Sequence, residues 1–462
     1  MARPKPLSGF PEFLPAQRIV EQRVTDIVRS TFELHGFASI ETRAVESMDS
    51  LTRKGEITKE VYVVRRLHAV ENEHGDDLGL HFDLTVPLAR YVLENSARLA
   101  FPFRRHQIQK VWRGERPQEG RYREFPQADI DIIGENTLAA HHDVEAPLVM
   151  LDALEAVHTE LGLPPARMHV NNRKLSEGFY RGLGITDTAE VLQRVDKFDK
   201  IGPTAVAELL TSELGLSDEV AGKCVELATI CTPDDSFVAA VRKLGVHSEM
   251  LDEGLDELAE VLNEARRQVP GRMVADLKIA RGLDYYTGTV YESFMAGHED
   301  LGSVCSGGRY DSLATNGKRT FPGVGISIGL SRLLARVVGE GLVEVSRPVP
   351  TVVLVAVTDE AHRSASDAIA DALRARGISA DVAPSAAKFG KQIKAADKRS
   401  IPFVWFPGAD GGPDSVKDIR SGEQVEADAA TWQPPSDDDV PQITVARAAA
   451  GTGADVEADS AS

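Results

Sequence analysis

The sequence predicts an α+β protein with a mixed, mostly antiparallel sheet, a helical insertion and a separate C-terminal α/β domain. Two stretches with apolar residues at helical spacing, 16–35 and 143–161, enclose short alternating runs such as 125–133. Helices combined with alternating strands are typical of an antiparallel sheet covered by helices. After Thr351 a continuous apolar strand precedes a helix and two more short strands. This alternation indicates a small α/β domain with buried strands.

Glycine positions indicate where the two helices end, and residue alternation indicates which side chains share a face of the strand over 125–133. Gly36 and Gly162 directly follow the two helical stretches, in the position of a helix-ending glycine. In the alternating run, period-two spacing gives one face an aromatic and three hydrogen-bonding side chains, namely Phe125, Gln127, Asp129 and Asp131. That face could be a pocket wall, or it could belong to a solvated, salt-bridged hairpin.

The same patterns predict the domain limits. We expect the sheet domain over 1–171 and 269–346, the helical insertion over 172–268, and the C-terminal α/β domain over 350–433. The remainder, 434–462, is acidic and rich in Ala, Gly and Ser. It is predicted to be disordered because it cannot bury enough apolar surface to order itself.

Composition excludes several classes of protein. The chain has 462 residues, of which 42% are hydrophobic and 27% charged, as in ordinary globular proteins. No apolar run reaches the ~18 residues that a membrane span needs, and the N-terminal residues lack a secretory apolar stretch. Three cysteines without a CxxC pair disfavour a disulfide framework or a thiolate zinc site. We therefore expect a cytoplasmic protein without membrane association and without a dedicated protein-ligated metal site.

Positive charge is concentrated in two islands of an acidic chain. The 52 Lys and Arg against 71 Asp and Glu give a net charge of −19, which argues against a protein that coats nucleic acid. Residues 104–123 hold seven basic against two acidic residues, and residues 385–400 hold five against one. In the second island, a helix would place four lysines on one side, namely Lys388, Lys391, Lys394 and Lys398. This side could bind an anion such as RNA, or it could simply be solvated.

Common nucleotide-binding motifs are absent, since neither GxxxxGK[ST] nor GxGxxG occurs. Four other segments combine arginines, tyrosines and glycines: 111–125, 281–292, 306–311 and 323–334. Each is ambiguous alone. Arginines suit phosphate oxygens but also ordinary ion pairs, and strand glycines are more often packing devices than ligand contacts.

Taken together and in this order, the four segments resemble the histidyl-tRNA synthetases, a family of class II aminoacyl-tRNA synthetases. Arg113–Phe125 is similar to class II motif 2, and Gly323–Leu334 to motif 3. Arg281–Tyr286 and Ser306–Asp311 resemble the two histidine-specific segments. The resemblance covers nearly the whole chain and implies the class II synthetase fold with a C-terminal anticodon-binding domain. Motif 1 matches least well, because Arg43 replaces the proline usual in the family.

The resemblance implies a reaction in two steps. Histidine and ATP would form histidyl-adenylate and pyrophosphate, and the histidyl group would then pass to the 3′-terminal adenosine of the histidine tRNA. Arg113 and Arg281 match the catalytic arginines, which supply positive charge where the carboxylate attacks phosphorus. Other matches to ATP contacts are Glu115 and Phe125 at the adenine and Arg121 and Arg332 at the outer phosphates. Mg²⁺ is expected on the phosphates without a dedicated protein cage.

The resemblance also implies the amino-acid and tRNA contacts. Asp83 and Thr85 match the positions that bind the α-amino group, and Arg113 and Arg281 would face the carboxylate. The rest of the histidine pocket would be formed by Gln127, Asp131, Tyr285, Tyr286 and Tyr310. Asp131 is one methylene shorter than the glutamate common in bacterial relatives. The expected tRNA contacts are Arg116 and Gln118 in the motif 2 loop and the four lysines named above. The resemblance also implies a homodimer.

Three other readings compete with a histidine–tRNA ligase. A histidyl-tRNA-synthetase-like regulatory subunit of ATP phosphoribosyltransferase would bind histidine without charging tRNA, but such chains generally lack the C-terminal domain. A noncatalytic RNA-sensing module of the same fold would not need all four arginines, which are Arg113, Arg121, Arg281 and Arg332. A generic ATP-dependent carboxylate ligase would share motifs 2 and 3 but need not carry Arg281–Tyr286.

Overall fold

The computed structural model describes residues 4–52, 60–67, 77–279, 285–339, 341–409 and 412–445. The chain forms two compact units, one of residues 1–11 with 24–336 and the other of 12–23 with 337–462. Among the described residues, no helix has the length and apolar character needed to cross a membrane.

The helices of the described residues are α1 (Pro15–Leu34), α2 (Met48–Thr52), α3 (Thr85–Asn95), α4 (His142–Leu161), α5 (Arg173–Gly182), α6 (Thr188–Val195), α7 (Phe198–Leu214), α8 (Asp218–Ala228), α9 (Ser236–Lys243), α10 (Glu249–Gln268), α11 (Leu330–Gly339), α12 (Arg363–Ala375) and α13 (Phe389–Asp397).

The strands of the described residues are β1 (Ala38–Ser39), β2 (Val45–Ser47), β3 (Val63–Val64), β4 (Leu78–Leu80), β5 (Phe103–Trp112), β6 (Glu124–Ile133), β7 (Ala166–Asn172), β8 (Cys231–Thr232), β9 (Met273–Asp276), β10 (Thr289–Met295), β11 (Cys305–Thr315), β12 (Thr320–Gly329), β13 (Val343–Val345), β14 (Val353–Val355), β15 (Ala380–Val382), β16 (Phe403–Phe406), β17 (Ser415–Asp418), β18 (Gln424–Glu426) and β19 (Ile443–Val445).

A nine-stranded sheet forms the centre of the larger unit, in the order β1-β5-β6-β12-β11-β10-β7-β9-β8. Its central pairs, from β5–β6 to β10–β7, are all antiparallel. Parallel pairs occur towards the edges, at β1–β5 and β7–β9. This topology confirms the prediction of a mixed, mostly antiparallel sheet.

Strand register aligns a row of polar side chains across the sheet. Asp129 of β6 lies opposite Gln107 on one side and Ser327 on the other. Ser327 in turn lies opposite Ser306, and Ser306 opposite Glu292. Because directly opposed residues project from the same face, the register places this row on one surface of the sheet.

The helices that the apolar periodicity predicted are present, and α4 packs against strands of the large sheet. α1 and α4 end before Gly36 and Gly162, whose φ angles of 77° and 63° are the left-handed values that favour glycine. Helix α11 follows β12 directly and buries Leu330, Leu333 and Leu334. The predictions for these elements are confirmed.

The segment between β7 and β9 is helical apart from the short β8. Asn172 caps α5, because its side chain accepts a hydrogen bond from the Lys174 amide at 2.9 Å. Helix α10 packs so closely on α5 that a Cβ on Gly254 would overlap with the Leu175 backbone. The predicted limits of this insertion and of the other domains stay predictions.

The smaller unit contains the expected α/β domain. Its five-stranded sheet has the order β15-β14-β16-β17-β18, parallel on both sides of β14 and antiparallel beyond β16. Strand β14 is fully buried between two apolar clusters, one around Trp405 and one around Val404. The prediction of buried strands is therefore confirmed.

The start of the acidic tail does not follow the prediction of disorder. Residues Ser436–Asp438 form a short 3₁₀ helix, and β19 pairs antiparallel with β13. Arg347, which is 2% exposed, donates to the Asp438 carbonyl at 2.7 Å, and Arg420 pairs with the Asp438 carboxylate. Composition underestimates order here because polar contacts to two arginines replace apolar burial. Residues 446–462 lie outside the described part of the chain.

Candidate active site

A cleft of about 900 Å³ opens on the polar face of the large sheet. Among the residues that line it are ten that the resemblance assigned to histidine or ATP: Asp83, Thr85, Arg113, Glu115, Arg121, Phe125, Gln127, Tyr285, Tyr286 and Arg332. They come from segments far apart in the chain, and the sheet register brings them together. A volume of this size accommodates a nucleotide-sized ligand.

Arg113 is held in place at the end of β5. Its Nε donates to the Phe82 carbonyl at 2.9 Å, and its guanidinium carbon lies 5.3 Å from the centre of the Phe125 ring. The ring and the cation attract each other, and both line the cleft. This arrangement joins a flat aromatic surface to a fixed positive charge, which suits an adenine base next to a phosphate.

Two further arginines extend this positive region. Arg121 pairs with Glu115 through Nε and Oε2 at 2.7 Å, and Arg332 donates to the Ser303 carbonyl at 2.5 Å. Burial lowers the pKa of Arg332, and the charges of Arg121 and Arg113 lower it further. These three arginines of the cleft repel each other, so an anion such as a polyphosphate stabilises the arrangement.

The other end of the cleft is acidic and aromatic. Asp83 accepts hydrogen bonds from the Val86 amide at 3.0 Å and from the Tyr285 hydroxyl at 3.3 Å. Burial raises the pKa of this carboxyl. Tyr286 packs against Tyr285 with ring centres 4.9 Å apart. Thr85 starts α3 beside Asp83, so this corner offers oxygen acceptors to an ammonium group.

The cleft floor is formed by side chains of β6 and β12. Gln127 donates through Nε2 to the Ser327 hydroxyl at 2.9 Å, and Ser327 hydrogen-bonds the Asp129 carboxylate. Among the described atoms, Gln127 Oε1 and Asp129 Oδ1 are buried without a hydrogen-bond partner. Burial raises the pKa of Asp129 to about 7, although Arg105 opposes this effect. Unpartnered buried acceptors in a cleft favour a ligand that donates hydrogen bonds.

Asp131 and Tyr310 are not among the residues that line the cleft. Asp131 is 1% exposed and pairs with Arg105 at 2.5 Å, while the Tyr310 hydroxyl donates to its other oxygen at 2.5 Å. Glycines make room for both side chains, since a Cβ on Gly325 would overlap with Asp131 and one on Gly323 with Tyr310. These two motif 3 glycines therefore act as packing devices.

The remaining predicted residues lie elsewhere. Arg116 and Gln118 are exposed in the loop between β5 and β6, where Gln118 and Arg121 exchange backbone hydrogen bonds of 3.0 Å. Exposed positions at and around α13 are occupied by Lys388, Lys391, Lys394 and Lys398. Arg281 lies outside the described residues.

The cleft also contains residues that the sequence did not single out as ligands. Ser306 and Ser327 line the cleft and could have been predicted, because both lie in the glycine-containing segments 306–311 and 323–334. Glu292 lies in the same polar row, and its enclosure raises its pKa to about 7. Helix α6 contributes Gln193 and Arg194, for which the sequence carries no recognisable signal.

Comparison with known proteins gives the family. The family model described as histidyl-tRNA synthetase matches residues 9–333, and the anticodon binding domain model matches residues 351–430. The chain belongs to the histidyl-tRNA synthetase family. The fold is thus the class II synthetase fold with a C-terminal anticodon-binding domain, as the resemblance implied.

Relatives of this family member match over almost their whole length. The histidine–tRNA ligase of Cutibacterium acnes is 68% identical over 445 residues, which cover 95% of this chain and 98% of the relative. The histidine–tRNA ligase of Micrococcus luteus is 57% identical over 461 residues, covering 97% and 100%. The crystal structure of histidyl-tRNA synthetase from Nostoc sp. PCC 7120 has a TM-score of 0.79 at 35% identity and covers 93% of this chain and 98% of its own.

The departure of this synthetase-family chain from motif 1 has a local structural role. Arg43 pairs with Glu46 at 3.1 Å and lies 4.0 Å from Glu94. The Glu46 side chain is fully buried and also pairs with Arg90 at 2.7 Å. Arg43 therefore helps to neutralise a buried carboxylate, a task for which proline has no donor.

Proposed function

We propose that the protein is a histidine–tRNA ligase, which activates L-histidine with ATP and transfers the histidyl group to the 3′-terminal adenosine of its tRNA. The observation that carries this proposal is the cleft itself. One end joins three arginines to an aromatic ring, and the other joins Asp83 to a floor with unpartnered acceptors. The first suits ATP and the second suits an amino acid rich in N–H donors.

In the proposed activation step, a histidine carboxylate oxygen forms a bond to the α-phosphorus and pyrophosphate leaves. Both reactants are anionic, so positive charge must be fixed at the point of attack. Arg113, whose Nε donates to the Phe82 carbonyl, would supply this charge from one side. Arg281 would act from the opposite side, as the family resemblance implies. Arg121 and Arg332 would hold the outer phosphates.

Mg²⁺ belongs to this proposal as the ion that neutralises phosphate charge. Oxygen donors, which Mg²⁺ prefers, are present on the cleft wall at Glu292 and Glu115. Glu115 is already paired with Arg121, so the phosphates themselves would supply most ligands.

We propose contacts to the remaining partners as follows. Asp83 and Thr85 would bind the α-amino group, and Arg116 and Gln118 would bind the tRNA acceptor end. The four exposed lysines at and around α13 would bind the anticodon stem. A cytoplasmic homodimer completes the proposal. Dimerisation is supported by apolar side chains exposed on and beside a small sheet, namely Val63, Leu67 and Leu78, with exposed fractions of 51%, 92% and 39%.

The first test is ATP–pyrophosphate exchange with Mg²⁺ and each of the twenty amino acids in turn. The proposal predicts exchange with histidine alone, and loss of most exchange in Arg281→Ala with histidine binding retained. Exchange with another amino acid would contradict the substrate assignment. No exchange, with histidine still bound, would favour a regulatory histidine-binding role instead.

A further inference from the structure

Three strands at one end of the large sheet bring a histidine, a cysteine and an aspartate together. A ring nitrogen of His169, the sulfur of Cys231 and a carboxylate oxygen of Asp276 all lie within 4.8 Å of one another. The three residues belong to β7, β8 and β9, which are far apart in the chain. The absence of a CxxC pair does not bear on this cluster, because it uses a single cysteine and each potential ligand comes from a different strand.

Strand register explains why these side chains meet. Cys231 lies directly opposite Asp276 in the β8–β9 pair. His169 lies opposite Val274, and Asp276 follows Val274 by two residues, so all of these side chains project from one face. It is the face that carries the polar row of the cleft, since Glu292 lies opposite His169 in the β10–β7 pair. The cluster therefore continues that row to the edge strand β8.

Two of the three side chains are held in place, and the third is accessible. Nδ1 of His169 and Oδ2 of Asp276 are hydrogen-bonded at 2.8 Å, and the Phe294 ring packs edge-on against the imidazole at 5.0 Å. The Asp276 side chain is 1% exposed, whereas Cys231 is exposed. The imidazole and the carboxylate thus form a fixed base, and the thiol lies open to solvent and to an incoming ion.

The surroundings favour a cation. Burial raises the pKa of Glu292, and three aspartates raise it further, namely Asp196, Asp276 and Asp199. This effect reports a negative potential at this end of the polar row. Lys278 lies 3.5 Å from Asp276 and 2.9 Å from Asp199. Lys278 therefore keeps a carboxylate partner when an ion takes its place at Asp276.

The set of donors indicates which ion would bind. Sulfur, imidazole nitrogen and carboxylate oxygen together are ligands of zinc, whereas Mg²⁺ and Ca²⁺ take oxygen ligands. Bonds of ~2.0–2.3 Å place the donors of a tetrahedral zinc ion ~3.3–3.8 Å apart, so a small movement of the exposed Cys231 side chain completes the site.

We propose that His169, Cys231 and Asp276 form a zinc-binding site, with water as the fourth ligand. The thiol releases its proton to solvent when the ion binds. The bound ion joins the edge strand β8 to β7 and β9, and it thereby fixes the predicted helical insertion, which contains β8, to the large sheet.

A second cluster among the described residues, formed by His141, His142 and Glu145, fits a cation less well. Arg104 pairs with the Glu145 carboxylate at 2.6 Å, and His142 engages its other oxygen at 2.8 Å. The cluster also lies at the start of α4, where the helix dipole repels cations. It has no sulfur donor, so a thiolate-specific signal separates the two clusters.

The test uses the full chain in metal-free buffer, with Co²⁺ as a spectroscopic probe and Zn²⁺ in competition with a chromophoric chelator. We expect one ion per chain and the absorption band of a cobalt–thiolate bond. Cys231→Ser should abolish this band, and both Cys231→Ser and His169→Asn should weaken Zn²⁺ binding at least ~30-fold. Cys224→Ala is the matched control, because Cys224 is buried in α8, and it should bind both ions normally.

Thermal unfolding gives an independent readout. Zn²⁺ should raise the melting temperature of the unmodified protein and not that of Cys231→Ser, while the two should melt alike without zinc. A cobalt spectrum without a thiolate band, or unchanged Zn²⁺ affinity in Cys231→Ser, would overturn the proposal. Loss of Zn²⁺ binding in His142→Asn alone would also overturn it and assign the ion to the second cluster. None of these measurements uses the exchange reaction, so failure of the proposed function is distinguishable from failure of this one.

Discussion

The contact between Gly325 and Asp131 gives a prediction that can be worked out from the structure. In Gly325→Ala, the new Cβ would lie 2.5 Å from the Asp131 carboxyl carbon and 3.0 Å from the Ile130 carbonyl oxygen, and it would overlap with Asp131 Oδ1. The carboxylate cannot turn away freely, because Arg105 and Tyr310 hold both of its oxygens.

The expected cost follows from these contacts. Overpacking of a filled interior costs ~1–3 kcal/mol when neighbours adjust. If Asp131 leaves Arg105 the cost rises towards ~3–5 kcal/mol, which is typical of a broken buried ion pair. We therefore expect Gly325→Ala to lower the free energy of unfolding by ~1–5 kcal/mol, with the upper half of this range if Asp131 leaves Arg105, and to raise the KM for histidine.

Urea unfolding followed by tryptophan fluorescence and exchange kinetics would measure both effects. Gly222→Ala is the matched control, since Gly222 lies within α8 and nothing stands within 4 Å of its Cβ position. That variant should be stabilised by up to ~1 kcal/mol, because alanine is the better helix former. If Gly325→Ala unfolds at the same urea concentration as the unmodified protein, the packing argument is refuted.

Three further predictions concern the floor, the adenine site and the C-terminal helix. Native Asp129, with its pKa raised to about 7, keeps a proton that the unfolded chain releases, so stability falls as pH rises towards 7. As pH rises from about 5.5 to about 8, the free energy of unfolding of the unmodified protein should therefore fall by ~2 kcal/mol relative to that of Asp129→Asn, as measured by urea unfolding. A difference between the two proteins that does not change with pH would contradict this. Phe125→Leu should raise the KM for ATP ~5- to 50-fold with histidine affinity kept, and an unchanged KM would exclude stacking on this ring. Substitution of both Lys391 and Lys394 by Glu should lower tRNA charging at least ~10-fold and leave ATP–pyrophosphate exchange unchanged. Substitution of the same two lysines by Arg keeps the charge and should leave charging normal. Equal loss of both activities in the Glu variant would indicate misfolding.

Several features of the fold were predictable because they depend on neighbours in sequence. Gly36 and Gly162 end helices through their own backbone conformation, which a sequence shows directly. The polar face of β6 follows from alternation alone, and residues such as Gln127 and Asp129 do share it. The buried strand β14 was likewise predictable, because its sequence is a continuous apolar run.

Other features depend on which strands meet and in what register, and local patterns do not contain this information. The engagement of Asp131 requires Arg105 to lie opposite it in β5 and Gly325 opposite it in β12. Nothing in the spacing of these residues distinguishes Asp131 from Asp129. The contribution of Gln193 to the cleft has the same origin, because it depends on how the insertion folds back onto the sheet.

The pairing of β13 with β19 has a practical consequence for dissecting this molecule. Strands 343–345 and 443–445 pair with each other, so backbone hydrogen bonds hold together the two ends of the C-terminal α/β domain. Cutting at the limits of the family match, 351–430, would remove both strands together with Arg347 and Asp438. It would also remove one of the two carboxylates that pair with Arg420, since Asp438 would be lost and Asp418 kept. A fragment meant to fold alone should therefore begin before Val343 and extend past Val445.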